Sequence, residues 1–336
     1  MIDILIAGGG PAGLAAAIRA AHAGLEAVVV EPRPAPVDKA CGEGIMPGGL
    51  AALHALGVHP AGHPLRGIRY TDGLRTAQAP FRGAYGLGVR RTALHTALHE
   101  RAEALGVRIV EGKVREVRQD GHTVTAAGLT ARWLIAADGL HSPLRRALGL
   151  DHPAPGPGRY GLRRHYRTAP WSDMVEVHWS PHAEAYVTPV DDHLVGVAVL
   201  SRDRRPYADH LAAFPALAAR LTAPAPPPYA GPDRCGSGRT GHGPGGSCWS
   251  GTRRATPTRS PGGHRPGRRH GVGGRRLPGR RAPEEYPARW RRATRRYRLL
   301  THALLGAAGH PATRPLIVAA AHRAPALFRT AVRALQ

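Results

Sequence analysis

Cysteine is scarce in this sequence: Cys41, Cys235 and Cys248 are the only three among 336 residues. Three scattered thiols build neither a disulfide framework nor a metal-ligand spacing, so no metal is expected, and a reducing cytoplasm suits them. No apolar run reaches the length a bilayer requires, which excludes a membrane-spanning helix. Met1-Ile2 leads straight into a strand pattern without a basic region or cleavage site, so no secretory leader is expected. Acids are also few, with 23 Asp and Glu against 47 Lys and Arg, for a net charge of +24. That deficit is local. Between Gly231 and Ala282 stand twelve arginines and a single acid, Asp233, so the stretch holds +11 of the total. Of Val, Ile, Leu, Met and Phe it contains only Val272 and Leu277. Such a segment buries too little apolar surface to offset chain entropy and is expected to be disordered. Its one aromatic, Trp249, gives bases little to stack on, so nucleic acid is not the expected partner.

Against these absences stands one organised stretch, Asp3-Ile-Leu-Ile-Ala-Gly-Gly-Gly-Pro-Ala-Gly-Leu14. Ile4 to Ala7 reads as a buried strand, and Leu14 to Ala23 as an Ala-rich helix. Gly8, Gly10 and Gly13 fall between them at GxGxxG spacing. Gly8 permits the tight turn, Gly10 lets a pyrophosphate approach the backbone, and Gly13 packs the helix on the strand. A second apolar run, Ala27 to Val30, ends in Glu31, near the distance at which an acid binds a dinucleotide's ribose hydroxyls.

The string Gly8-Gly-Gly-Pro-Ala-Gly-Leu14 with Glu31-Pro-Arg33 resembles the N-terminus of FAD-dependent oxidoreductases of the aromatic-hydroxylase and geranylgeranyl-reductase superfamily. The resemblance implies FAD as cofactor, with Gly8, Gly10, Pro11, Ala12, Gly13, Glu31 and Arg33 around its nucleotide. Lys39-Ala-Cys-Gly-Glu-Gly44 is similar to the Cys-Gly loop of geranylgeranyl reductases, which lies near the flavin. Cys41 and Gly42 are then flavin neighbours; Cys41 is otherwise a small buried hydrophobe. Arg90-Arg-Thr-Ala-Leu94 opens a helix with apolar positions Leu94, Leu98, Ala102 and Leu105. Many flavin hydroxylases aim an arginine at the cofactor from this helix start, and Arg91 holds that place. Trp133-Leu-Ile-Ala-Ala-Asp-Gly-Leu-His-Ser-Pro-Leu-Arg145 resembles the second flavin signature. It implies Asp138 and Gly139 near the ribityl–pyrophosphate region, with Arg145 bracing the turn.

The expected fold is α/β: a Rossmann-like FAD-binding domain with an inserted antiparallel β-sheet substrate domain and a helical C-terminus. The expected bounds are 1–152 for the FAD domain, 153–230 for the substrate domain, 231–282 for the anomalous segment and 283–336 for the C-terminal helices. Strands are expected at Val107–Val110, Val114–Arg118, Thr123–Ala126, Ala131–Ala136, Tyr160–Arg167, Met174–Trp179, Ala185–Thr188 and Leu194–Leu200. An amphipathic helix is expected over Tyr207–Leu221, and Pro153–Gly158 reads as a linker. In the family the antiparallel sheet walls the substrate cavity, which makes His165, Tyr166, His178, Trp179 and Tyr186 candidates to line it.

The family also has a third signature, a strand and Gly-Asp turn, where this chain has 231–282. A frameshift accounts for its loss. Let a GC-rich gene encode Val-Leu-Leu-Val-Gly-Asp-Ala-Ala-Gly-Tyr-Ala-Asp-Ala-Leu-Thr-Gly with G or C at every third base. Read one base later, it yields Ser-Cys-Trp-Ser-Gly-Thr-Arg-Arg-Ala-Thr-Pro-Thr-Arg-Ser-Pro-Gly, which is Ser247 to Gly262 letter for letter. The ordinary frame resumes near Pro283–Glu285, where a helical pattern begins.

The function this implies is an FAD-dependent monooxygenase that hydroxylates a small organic substrate with NAD(P)H and O2. A geranylgeranyl-reductase-like double-bond reductase is the alternative within enzymes. An inactive frameshifted product and an Arg/Gly-rich nucleic-acid-binding protein are the alternatives outside them. No second GxGxxG occurs, so NAD(P)H is expected to bind transiently or to act through a separate reductase. The flavin carries the chemistry in such enzymes, and no catalytic acid or base is assigned.

Overall fold

Apolar runs near the start of the chain dictate the first sheet. β1 (Ile2–Ala7) and β2 (Ala27–Glu31) pair in parallel, and all five residues of β2 are buried. A strand covered on both faces requires such a run. α1 (Pro11–His22) joins them, burying Gly13, Leu14, Ala17 and Ile18. A computed structural model describes residues 1–150, 158–221, 234–235, 256–257 and 286–334.

After β2 come β3 (Gly44–Ile45), α2 (Pro47–His54) and β4 (His63–Leu65). A hairpin of β5 (Gly67–Thr71) and β6 (Thr76–Pro80) follows, then β7 (Gly86–Gly88) and α3 (Arg91–Ala104). Next are β8 (Arg108–Glu111), β9 (Arg118–Gln119), β10 (Val124–Ala126), β11 (Leu129–Ala136) and α4 (Pro143–Ala147). The strand expected at Val114–Arg118 is therefore confined to Arg118 and Gln119; Val114 instead packs as a loop residue in the core beneath the sheet.

The later half begins with four antiparallel strands, β12 (Tyr160–Arg167), β13 (Met174–Trp179), β14 (Ala183–Asp191) and β15 (Leu194–Ser201). The helix expected over Tyr207–Leu221 is two short ones, α5 (Tyr207–Leu211) and α6 (Pro215–Ala218). Pro215 cannot donate the helical hydrogen bond and clashes with the preceding turn, so it starts a new helix instead. β16 (Arg234–Cys235) pairs with β12, and β17 (Thr256–Pro257) pairs with β11. The rest of 231–282, where disorder is expected, lies outside the described residues, as does the Pro153–Gly158 linker except Gly158. The chain ends in α7 (Tyr286–Gly309), α8 (Leu316–Arg323) and α9 (Pro325–Arg333).

The first sheet runs β8-β2-β1-β11-β10-β9, with β17 also on β11. Its strands from β8 to β11 are parallel, which puts the C-terminal ends of β1, β2 and β11 on one edge. One core cluster packs α1 and α3 against this sheet; another, with Leu5, Val28, Leu134 and Leu144, fills the opposite face. The second sheet runs β16-β12-β15-β14-β13-β5-β6, so the hairpin from 67–80 joins strands far along the chain. A division at residue 152 thus cuts across this sheet. One of its faces packs on α5 and α6 through Tyr166, Val195, Val197 and Phe214. The other meets the C-terminal helices through Val177, Trp179, Ala308 and Val318. Arg314 secures that contact, donating to the carbonyls of Ser180 (2.7 Å), Ala183 (2.8 Å) and Ala308 (3.0 Å). A small sheet, β3-β7-β4, sits beside these. No helix among the described residues is long and apolar enough to cross a membrane.

Candidate functional site

The glycine turn after β1 is built by close approach. Gly8 has φ +104°, and a Cβ there would come within 2.5 Å of the Ala137 carbonyl oxygen at the end of β11. A Cβ on Gly13 would strike the Gly8 carbonyl oxygen. Only glycine fits both places, so the turn from β1 into α1 lies flat against the Ala137–Asp138 backbone. α1 begins at Gly10 with Pro11 at its first position, no side-chain cap and no acid in its first turn. That leaves an oriented set of N–H groups, positive in sense, at the mouth of the turn.

Glu31 ends β2 beside this turn and is buried. Its Oε2 accepts the Gly9 N–H (2.8 Å) and its Oε1 accepts Arg33 Nε–H (2.7 Å). A cavity of about 170 Å³ opens here, lined by Gly9, Glu31, Arg33, Val37, His95 and Ile109 among others. His95, on α3, is a residue the sequence pattern did not single out. Its Nε2–H donates to the Gly9 carbonyl (2.9 Å), which leaves Nδ1 as a buried acceptor with no partner.

Burial pushes the His95 imidazole down to about 4, from 6.5, so it is neutral at pH 7. The unfolded chain takes up this proton near pH 6.5 and the folded chain only near 4. Stability therefore falls as pH drops through that window, by about 3 kcal/mol in all. A His95→Gln variant is expected to lose this part of the slope when urea midpoints are measured from pH 7 to 4. Parallel wild-type and variant profiles would rule the assignment out.

Arg91 stands at the start of α3, as its position in the sequence suggested. One of its terminal nitrogens, Nη2, lies 3.9 Å from where a Cβ of Gly10 would be. Its Nε is buried without a hydrogen-bond partner. Burial pushes this guanidinium below its ordinary range, only partly countered by Cys41 and Asp38. A desolvated cation beside an uncapped helix start is a place that favours an anion.

Asp138 and Gly139 follow β11 on the same edge. Asp138 Oδ2 accepts the Leu144 N–H (3.3 Å), Ser142 Oγ caps α4 at the Arg145 N–H (2.9 Å), and Arg145 Nη2 donates to the Leu140 carbonyl (2.9 Å). The arginine thus does brace the turn. Gly139 has φ +93°, and Lys39 Nζ sits 3.9 Å from its missing Cβ.

The loop carrying Cys41 and Gly42 closes the cleft from the second sheet's side. Thr188 Oγ1 on β14 donates to the Gly42 carbonyl (2.7 Å). Burial first, and the Glu43 carboxylate second, push the Cys41 thiol up to about 11. It stays protonated at neutral pH, so in this state Cys41 is a packing group and not a thiolate nucleophile. The five candidates on the antiparallel strands divide. His165, Trp179 and Tyr186 share the face toward this loop and the C-terminal helices, whereas Tyr166 and His178 face α5 and α6. Strand alternation forces the division: Tyr166 follows His165, and His178 precedes Trp179.

A family model for the FAD binding domain matches residues 1–216. The chain is 37% identical over 162 residues to a menaquinone reductase of Mycobacterium tuberculosis, covering 44% of this chain and 40% of that one. It is 28% identical over 184 residues to a dialkyldecalin synthase of Streptomyces rugosporus, covering 52% and 40%. The chain thus spans 40% of the length of these curated relatives. Among solved structures, the fold is similar to a p-nitrophenol 4-monooxygenase of Pseudomonas putida, with TM-score 0.57 and 22% identity over 66% of this chain and 63% of that one. It is also similar to a geranylgeranyl bacteriochlorophyll reductase-like protein of Thermoplasma acidophilum, with TM-score 0.56 and 22% identity over 66% and 63%.

Proposed function

Because this chain belongs to the FAD binding domain family, we propose that its first sheet is the cofactor platform of an FAD-dependent oxidoreductase. The observation that carries the reading is Arg91, half-buried beside Gly10 with a buried, unpartnered Nε. The residues present fit the group. Gly8, Gly10 and Gly13 leave room for a pyrophosphate, and Pro11 and Ala12 begin the helix whose N–H groups face it. Arg91 supplies the counter-charge. Glu31 and Arg33 border the cavity of about 170 Å³ that suits the nucleoside end, with Glu31 directed at the ribose. Asp138 and Gly139 border the middle of the cofactor, and Cys41 and Gly42 the ring. When bound, the flavin supplies the redox chemistry; the chain holds it and excludes water.

The proposed reaction is hydroxylation of a small organic substrate, with NAD(P)H as transient reductant and O2 as oxidant. Monooxygenases among the similar proteins support it. A double-bond or quinone reduction is the second reading, favoured by the menaquinone reductases at 37% identity and by the Cys41-Gly42 loop. A cytoplasmic location and a separate reductase as electron source belong to the same proposal.

FAD titration of the frame-restored chain tests the platform. Arg91→Met and Glu31→Gln are each expected to weaken binding roughly 10- to 100-fold, the worth of one hydrogen bond to a charged group. Wild-type affinity in both variants would overturn the site. NAD(P)H oxidation that consumes O2 and yields a hydroxylated product favours the first reaction; anaerobic turnover with loss of a double bond favours the second.

A further inference from the structure

Glu43, which raises the Cys41 thiol, accepts three hydrogen bonds from elements far apart in the chain. It is buried, and its backbone sits at φ +56°, a conformation L-residues seldom adopt. Its Oε1 accepts the Arg91 backbone N–H (2.9 Å) and Arg163 Nη1–H (2.7 Å). Its Oε2 accepts His165 Nε2–H (2.7 Å). Arg91 opens α3 on the first sheet's side, whereas Arg163 and His165 lie on β12 of the second. The second sheet is notched to receive the carboxylate. Gly196 lies opposite His165 in the register, and a Cβ on it would come within 2.5 Å of Glu43 Oε2. Arg163 also holds Asp38 in the same loop through both oxygens, at 2.8 and 2.9 Å.

We propose that Glu43 is a positioning residue: its single carboxylate fixes the first turn of α3, and with it Arg91, against the floor of the second sheet. The consequence for the cofactor rests on the reading of Arg91 given above. Through Glu43, the anion-binding end of the cleft is set by strands that do not themselves touch a nucleotide. A loop residue held in a rare backbone conformation persists only where its surroundings over-determine it, and three donors, one at the start of α3 and two on β12, do so here.

Two substitutions separate this role from mere burial of charge. Glu43→Gln keeps the shape but offers one acceptor oxygen to three donors. Gly196→Ala keeps every charge but pushes the carboxylate out of its notch. Both are made in the chain as written, and hydrogen exchange of the Arg91 amide is the readout. Each variant is expected to accelerate that exchange about tenfold, the effect of roughly one lost hydrogen bond. Glu43→Gln should also speed alkylation of Cys41 at fixed pH, because the thiol loses the negative charge beside it. The comparison is Glu176→Gln, a buried carboxylate on the same sheet paired with Arg69 at 2.7 Å. It should leave the Arg91 amide and Cys41 at their wild-type rates. Unchanged exchange in Glu43→Gln and Gly196→Ala, or equal acceleration in Glu176→Gln, would overturn the proposal. The cofactor reading fails separately, if Arg91→Met leaves FAD affinity intact.

Discussion

Expressed as written, the chain is expected to purify without flavin absorbance, and a version with 231–282 returned to the alternative frame is expected to purify yellow. The glycine turn, Glu31, Arg91 and the Asp138-Gly139 turn stand together on one edge of the first sheet, so the structure holds one side of the cleft proposed for the cofactor. What the family adds is a strand and Gly-Asp turn, and 231–282 as written has two large aliphatic residues with which to make it. A segment with so few apolar side chains is expected to fall short of holding a wall in place against its own chain entropy. On the frameshift reading, the alternative frame would supply Val-Leu-Leu-Val-Gly-Asp-Ala-Ala-Gly, an apolar strand with the turn behind it. Visible absorbance and FAD-to-protein stoichiometry of the two proteins decide the matter. Stoichiometric FAD in the unrepaired chain would refute the frameshift reading of this wall. Tight, salt-sensitive RNA binding that maps to 231–282 would favour a basic tail instead.

Arg163→Met is expected to cost about 3–5 kcal/mol, the penalty for leaving buried carboxylates without their cation. Arg163 and Glu43 have side chains only 1% exposed, and the guanidinium serves both Glu43 and Asp38. Burial alone would lower the Arg163 pKa, and the two carboxylates more than reverse that, so its charge is secure. Methionine fills much of the volume but returns none of the hydrogen bonds. Urea unfolding of wild type, Arg163→Met, Glu43→Gln and the double variant forms a cycle that isolates the pair. The double variant should be more stable than the sum of the single losses implies, because it strands one charge fewer. A loss under about 1 kcal/mol in Arg163→Met would show that water or a rearranged loop reaches the carboxylates.

Much of the first sheet was legible in the letters because its signals are local. A glycine at φ +104° between an apolar strand and an Ala-rich helix needs no distant partner to be recognised. The same holds for the Ser142-Pro143 cap after Asp138-Gly139. Residues whose meaning depends on remote neighbours were missed or misplaced. Glu43 lay inside a quoted motif, yet its partners are more than forty residues away. His95 was hidden among the apolar positions of α3; its burial against Gly9 was the missing signal.

By itself the sequence determined the Rossmann-like turn, the acid after β2, the arginine at the start of α3 and strands β12 to β15 of the second sheet, since periodicity and turn chemistry act over a few residues. The resemblance those motifs carry also pointed to the family. Only the tertiary structure decided that β5 and β6 join β13 in that sheet, that Tyr166 and His178 face away from His165 and Trp179, and that Glu43 ties the start of α3 to β12. Pairing partners across a hundred residues leave no periodic mark in either strand. A buried carboxylate finds its cations only once the sheets are docked, because the low dielectric that makes the contact strong exists only after both have closed over it.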